Sequence, residues 1–265
     1  MPTINGNDVS QYQGIINYDT YKNNTNFVVI KASEGSNYLD PAFKLNQKEA
    51  RRVGLEIGYY HFGRPDLNNL PETEADFFLQ TVGKPLDGEF FALDYECPNQ
   101  KQADVDWCLK FMNRVNDKIG VKCLIYLNKS ILTRFNWHSV VAGNFGLWLA
   151  VYSTSPLDTN FNTGSWPFMS MRQWTNSQIV PGIADKVDGD VFFGDLPTLK
   201  KYGYQTPVIT PPTDSPEVIA LKQQVAKLQS DNDTLNTGVT ILTNRLSTLK
   251  LSIRSAVDTA IDSVN

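Results

Sequence analysis

The sequence has little cysteine, little histidine, no surplus of positive charge and no long apolar run. Three cysteines, Cys97, Cys108 and Cys123, leave one thiol over and lack the spacing of a metal knuckle. They read as reduced, mostly buried thiols rather than as a disulfide framework or a catalytic nucleophile. Two histidines, His61 and His138, are too few for a His-based metal site, and no metal or other cofactor is expected. Lys and Arg number 24 against 28 Asp and Glu, a net charge of −4. Nucleic acid is therefore not expected as a partner, because phosphate binding needs a cationic excess. The longest apolar run, residues 147–152, falls far short of the roughly 18–20 residues that span a bilayer, so no membrane span is expected. Residues 1–6 show neither the basic start nor the apolar stretch of a secretory signal. The expectation is a protein made in the cytoplasm.

Aromatic residues also run out: none follows Tyr204. Four prolines fall within residues 205–216, where they block helix and central-strand hydrogen bonding. This reads as a semi-rigid linker between a body, residues 1–204, and a tail, residues 217–265. With 41% hydrophobic and 20% charged residues in 265, there is enough apolar material for a packed body of barrel size.

The tail has a heptad period. Val218, Leu221, Val225, Leu228, Asn232, Leu235, Val239, Leu242, Leu246, Leu249, Ile253, Ala256, Ala260 and Ser263 follow one another at alternating spacings of three and four. Only Asn232 and Ser263 break the apolar seam, the pattern of a coiled coil. β-branched residues on one early row and leucine on the other favour a parallel dimer through residues 218–263, with Asn232 fixing register. The alternatives are a helix packed on its own body, or a hairpin broken near Gly238, where glycine costs a helix about 1 kcal/mol.

Eight β-type runs recur in the body, at residues 4–9, 27–31, 56–62, 89–96, 122–128, 147–152, 169–175 and 187–193. Helix-like stretches at 41–53, 71–80 and 102–118 separate early ones, with Pro41 and Pro71 suited to first-turn positions. The later connections, such as 153–168, have no helical period. Strands alternating with helices imply an α/β fold with a largely parallel sheet, and eight strands imply closure into an irregular, TIM-like β/α barrel.

In such a barrel, chemistry sits at the C-terminal strand ends. The fourth run closes on Asp94 and Glu96, which alternation puts on one face above Ala92 and Phe90. Two such acids should split their titration, one pKa rising and the other group staying ionised. That is the arrangement glycosidic cleavage needs, although strand-end acids also serve as solvated loop residues or calcium ligands. Asp8 closes the first run and Asp188 opens the last. Tyr60, Tyr126, Tyr152 and Trp174 lie near strand ends, where ring faces stack on pyranose C–H surfaces. Phe62 and Trp148 read mainly as packing. His61, alternating away from Tyr60, reads as a hydrogen-bonded structural histidine.

Taken in order, the motifs resemble a known family. They are Asp8-Val9-Ser10-Gln11-Tyr12-Gln13-Gly14, Lys31-Ala32-Ser33-Glu34-Gly35, Gly58-Tyr59-Tyr60-His61-Phe62, Leu93-Asp94-Tyr95-Glu96 and Leu147-Trp148-Leu149-Ala150-Val151-Tyr152. Gln173-Trp174-Thr175 follows, then Pro181-Gly182-Ile183 leading to Val187-Asp188. Over about residues 4–203 the chain is similar to glycoside hydrolase family 25, the muramidase-type lysozymes. The resemblance implies a barrel that cuts the β-1,4 bond between N-acetylmuramic acid and N-acetylglucosamine in peptidoglycan. It implies Glu96 as general acid, Asp94 as its partner, Asp8 and Asp188 as supporting acids, and the four aromatics as groove lining. Two positions depart from the family pattern: Gly189-Asp190 stands for the more usual Leu-Asn, and Ser33 for threonine. The reading is a phage-type endolysin acting at the bacterial wall. Its competitors are a sugar-binding virion component oligomerised by the tail, and a different glycosidase such as a chitinase.

Overall fold

The structure, a computed structural model, describes residues 2–207 and 215–262. The chain divides into two units, residues 1–207 and 208–265. Most of the expected linker, residues 208–214, lies outside the described residues, as do residues 263–265 at the end of the tail. Gln205 and Thr206, which open that linker, are tied to the first unit. The Thr206 amide donates to Asp87 Oδ1 at 2.7 Å and the Gln205 side chain donates to the Lys200 carbonyl.

The first unit is a closed barrel of eight strands: β1 (Ile4–Val9), β2 (Phe27–Glu34), β4 (Glu56–Phe62), β5 (Phe90–Asp94), β6 (Leu124–Asn128), β7 (Gly146–Ala150), β8 (Met171–Gln178) and β9 (Val187–Phe192). Each coincides with one of the eight apolar runs. A two-residue strand, β3 (Tyr38–Leu39), adds to β2 beyond a bulge between Lys31 and Ser33 and has no sequence signal of its own. Pairing is parallel from β1 through β2 and β4 round to β8. β9 then closes the ring antiparallel to both β8 and β1. The turn that reverses β9 brings its first residues to the end of the barrel where the parallel strands finish.

Among the described residues eight α-helices surround or follow the strands: α1 (Tyr18–Tyr21), α2 (Phe43–Val53), α3 (Pro71–Val82), α4 (Asp104–Ile119), α5 (Lys129–Arg134), α6 (His138–Ala142), α7 (Leu196–Tyr202) and α8 (Pro216–Asp262). The three expected from sequence are α2, α3 and α4. Pro71 occupies the first turn of α3, whereas Pro41 lies in the turn before α2. The short α5, α6 and α7 carry too few turns to leave a period. Residues 153–168 are turns and bends, as expected.

Strand alternation builds two apolar layers. Inside the barrel pack Phe27, Val29, Phe90, Ala92, Leu124, Trp148, Met171 and Phe192. Outside it, Ile30, Tyr59, Phe91, Leu93, Ile125 and Leu147 meet the faces of α2, α3 and α4. The narrow interior requires glycine at two points. A Cβ on Gly6 would enter the Phe27 ring, and one on Gly58 would enter the Phe90 ring. All three cysteines are buried and unpaired, and burial pushes the Cys97 thiol up to about 12.

Among its described residues the second unit forms one helix, α8, of 47 residues, about 70 Å long. It runs through Gly238 without a break, so the hairpin alternative does not form. Its seam leucines are exposed, Leu228 at 67% and Leu242 at 65%. Threonine and serine hydroxyls along it, such as Thr234, Thr243 and Thr248, donate to carbonyls four residues back. Among the described residues no helix is long and apolar enough to cross a membrane.

Candidate active site

At the end of the barrel where the parallel strands finish lies an open cavity of about 360 Å³. Its wall is built by inward parity. On β1 the inward residues end in Asp8, on β2 in Lys31, on β4 in Tyr60 and Phe62, and on β5 in Asp94, with Glu96 just beyond. β9 contributes from its opposite end: Asp188 is its second residue, and it faces the cavity because the strand runs backwards. All four acids expected from sequence therefore line one cavity.

Three of the four expected aromatics, Tyr60, Tyr126 and Tyr152, line it as well. Trp174 does not. Met171 and Gln173 face the barrel interior on β8, so Trp174 between Gln173 and the bulge at Thr175 is turned the other way. Gln173 takes the place in the wall that Trp174 was expected to fill. Phe62 and Trp148, expected as packing, also reach the lining.

Hydrogen bonds fix the acids individually. The Tyr126 and Tyr152 hydroxyls both donate to Gln173 Oε1, at 3.0 and 2.8 Å. Two donors at that oxygen set the amide's orientation, so Gln173 Nε2 donates to Asp8 Oδ2 at 2.8 Å. Glu96 Oε1 accepts from Asn128 Nδ2 at 2.9 Å. The other end of that amide, Asn128 Oδ1, accepts from the Ile131 amide at the start of α5. One residue thus caps a helix and orients Glu96. The Asn7 side chain donates to the Asp188 carbonyl at 2.8 Å, locking β9 to β1 beside the cavity. Lys31, the one cationic residue in the lining, pairs with Glu34 at 2.9 Å.

The electrostatics differ from the simple split expected of two neighbouring acids. Burial raises both Asp94 and Glu96 above the ordinary carboxylate range. For Asp94 the Glu96 charge adds to burial while Lys31 opposes it; for Glu96 the Asn128 bond opposes burial. Asp8 is pushed up to about 8, first by burial and then by Asp188. Asp188 rises to about 6 by burial, against its contact with Asp8. The site thus holds protonated carboxyls at pH values where an exposed acid is fully ionised. Groups held in this way can serve as general acids beside carboxylates. Among the described residues no group of three His, Cys, Asp or Glu is arranged to hold a metal ion.

Residues 7–183 match the model of glycosyl hydrolases family 25, which is more than half the chain. This chain is a member of that family. It is 26% identical over 215 residues to lysozyme M1 of Streptomyces globisporus, an alignment covering 74% of this chain and 70% of that protein. Similarity to the lysozyme of Streptococcus phage Cp-1 is 31% over 156 residues, 57% of this chain and 43% of the phage protein. The family GH25 lysozyme from Aspergillus fumigatus superposes with a TM-score of 0.64 at 28% identity, covering 77% of this chain and all of that one. As a family 25 glycoside hydrolase, the chain puts its acid-lined cavity where a β/α barrel carries its chemistry.

Residues of the site to which the sequence reading gave no role are Lys31, Asn128 and Gln173. Each has inward parity with a residue already assigned to the barrel interior: Lys31 with Val29, Asn128 with Tyr126, Gln173 with Met171. Counting alternation to the last residue of every strand would have found them.

Proposed function

We propose that the chain is an N-acetylmuramidase that cleaves the β-1,4 bond between N-acetylmuramic acid and N-acetylglucosamine of peptidoglycan. The observation that carries this reading is the state of Glu96. Burial holds its proton above the ordinary range, Asn128 orients it, and it opens into the cavity beside Asp94. Glu96 is the general acid that protonates the leaving glycosidic oxygen and afterwards activates water. Asp94 either attacks the anomeric carbon or steadies an oxazolinium formed by the substrate's own N-acetyl group. A proton on Glu96 removes the part of the upward shift on Asp94 that the Glu96 charge causes, and Lys31 lowers it further, against the burial that is its largest cause. Asp8 and Asp188 tune that pair electrostatically and bind sugar hydroxyls. Tyr60, Tyr126 and Tyr152 line the groove, with Gln173 in the position expected for Trp174.

The similarity to the phage Cp-1 lysozyme supports an endolysin role at the bacterial wall. The heptads and the exposed leucines of α8 support a parallel dimer through residues 218–263, carrying two barrels on linkers over 205–216 and raising avidity for the wall. Light scattering at micromolar concentration should give twice the 29.8 kDa chain mass; a single-chain mass would refute the dimer.

The catalytic reading is tested by digesting purified Gram-positive peptidoglycan, reducing the products with borohydride and identifying the new ends by mass spectrometry. Reduced muramic acid is the expected end. Reduced glucosamine would place the cut at the other bond and overturn the reading.

A further inference from the structure

Two residues along β9 from Asp188, Asp190 shares its inward face and lies one layer deeper. It is wholly buried. Its register partners are Gly6 on β1, which has no side chain, and Gln173 on β8. Asp190 Oδ1 accepts from Trp148 Nε1 at 2.9 Å. Its Oδ2 is also buried and has no hydrogen-bond donor among the described residues.

Among the described residues, none of the groups found to act on it carries positive charge. Asp8 on β1 and Asp188 on β9 both act on it, and Glu96 beyond β5 acts in turn on those two. Tyr21 on α1 and Tyr152 beyond β7 sense its charge, and burial keeps both hydroxyls neutral. Trp148 supplies one N–H. The Asp8 and Asp190 carboxyls both face inward on neighbouring strands, where each shifts the other's proton affinity. Two inward carboxyls on neighbouring strands, one of them wholly buried, do not both ionise; they share a proton.

The oxygens show where that proton sits. Asp8 Oδ2 already accepts from Gln173, which favours the Asp8 anion. Asp190 Oδ2 accepts from nothing. A proton there turns an orphaned acceptor into a donor, with Asp8 as its acceptor. We propose that Asp190 keeps a proton in the folded protein and donates it to Asp8, as a positioning residue that holds the Asp8 carboxyl in place at the floor of the cavity. In agreement, burial drives Asp190 far above the ordinary carboxylate range, and its contact pulls Asp8 down where an ionised neighbour would push it up. The role at the floor rests on the proposed place of Asp8 in the sugar site; the proton itself does not.

The test compares full-length wild type with Asp190→Asn. The asparagine keeps an oxygen for Trp148 and offers an N–H to Asp8, but it cannot titrate. Unfolding constants are measured in urea from pH 5 to pH 7.5, without substrate. In the unfolded chain Asp190 loses its proton near the ordinary value of about 3.9, while the folded chain keeps it. The unfolding constant of wild type relative to the variant should therefore rise about tenfold per pH unit. A purely structural role would give a constant offset, and a ratio that does not change with pH overturns the proposal. Asp190→Ser, also a neutral donor, gives the same slope and serves if the asparagine variant does not fold. Peptidoglycan turnover adds a second readout. It should fall at least tenfold in Asp190→Ala and recover in Asp190→Asn; an asparagine variant as slow as the alanine one would overturn the positioning role. Because the slope is read without substrate, failure of the muramidase reading leaves it intact.

Discussion

Strand β4 separates two buried polar clusters that have opposite characters. On its outer face, His61 Nδ1 meets Ser33 Oγ at 2.8 Å and its Nε2 meets Glu74 Oε2 at 2.9 Å. Glu74 also accepts from the Arg64 amide and from Asn69 Nδ2, and the imidazole stacks on Phe111 at 5.0 Å. Donors and acceptors match. On the inner face, Asp8, Asp94, Asp188 and Asp190 gather with Glu96, and two of their buried oxygens, Asp94 Oδ1 and Asp190 Oδ2, have no hydrogen-bond partner among the described residues. Buried polar groups are normally satisfied because an orphan costs about 1–3 kcal/mol. A fold that satisfies one cluster and leaves the other short of donors marks the second as the place where a ligand or a proton is accommodated.

The largest effect should come from breaking the satisfied cluster. Glu74→Ala strips the acceptor from His61, the Arg64 amide and Asn69 together, and should lower stability by about 3–5 kcal/mol in urea unfolding. Turnover by the molecules that remain folded should not change. A loss below about 1 kcal/mol would mean that the outer cluster is not the structural one.

A smaller effect of opposite sign is expected inside the barrel. Asp188 is raised to about 6, so the folded state holds a proton that the unfolded state has released, and stability is lost as pH climbs from the ordinary carboxylate range through 6. Asp188→Asn removes that penalty. Thermal unfolding should show it more stable than wild type by about 1–2 kcal/mol at pH 7, allowing for solvent screening, with the advantage gone at pH 4. An advantage equal at both pH values would contradict the assignment.

The finest distinction lies at Asn128. Asn128→Asp keeps the acceptor that caps α5 but replaces the N–H on Glu96 with a negative charge. Glu96 should then hold its proton to higher pH. The alkaline limb of turnover should move up by about half to one pH unit. A downward shift would show that Glu96 is not the group whose proton is used.

How far these clusters were legible differs with the kind of signal. Asp94 and Glu96 stood out because alternation from Phe90 and Ala92 carries them to the strand end on the inner face. His61 was legible as structural for the same reason, one residue out of phase with Tyr60. Asp188 carried no such signal. It opens its strand, and only the antiparallel entry of β9, set by tertiary closure and absent from any local period, brings it to the cavity. The family resemblance supplied that residue where pattern could not. Trp174 stood out for its ring, whereas parity with Met171 turns its neighbour Gln173 inward. The raised state of both Asp94 and Glu96 depends on how deeply the barrel mouth buries them, which residue order does not record. The heptads of α8 were plain throughout, since a seam needs only spacing.

Turnover of peptidoglycan by Glu96→Gln and by wild type, with unfolding followed on the same two samples, tests the central claim most directly. The account expects turnover to fall by at least about a thousandfold, roughly 4 kcal/mol in the barrier, while the unfolding midpoint stays level or rises, because a neutral amide replaces a buried acid. Turnover retained to within tenfold in the folded variant would contradict it.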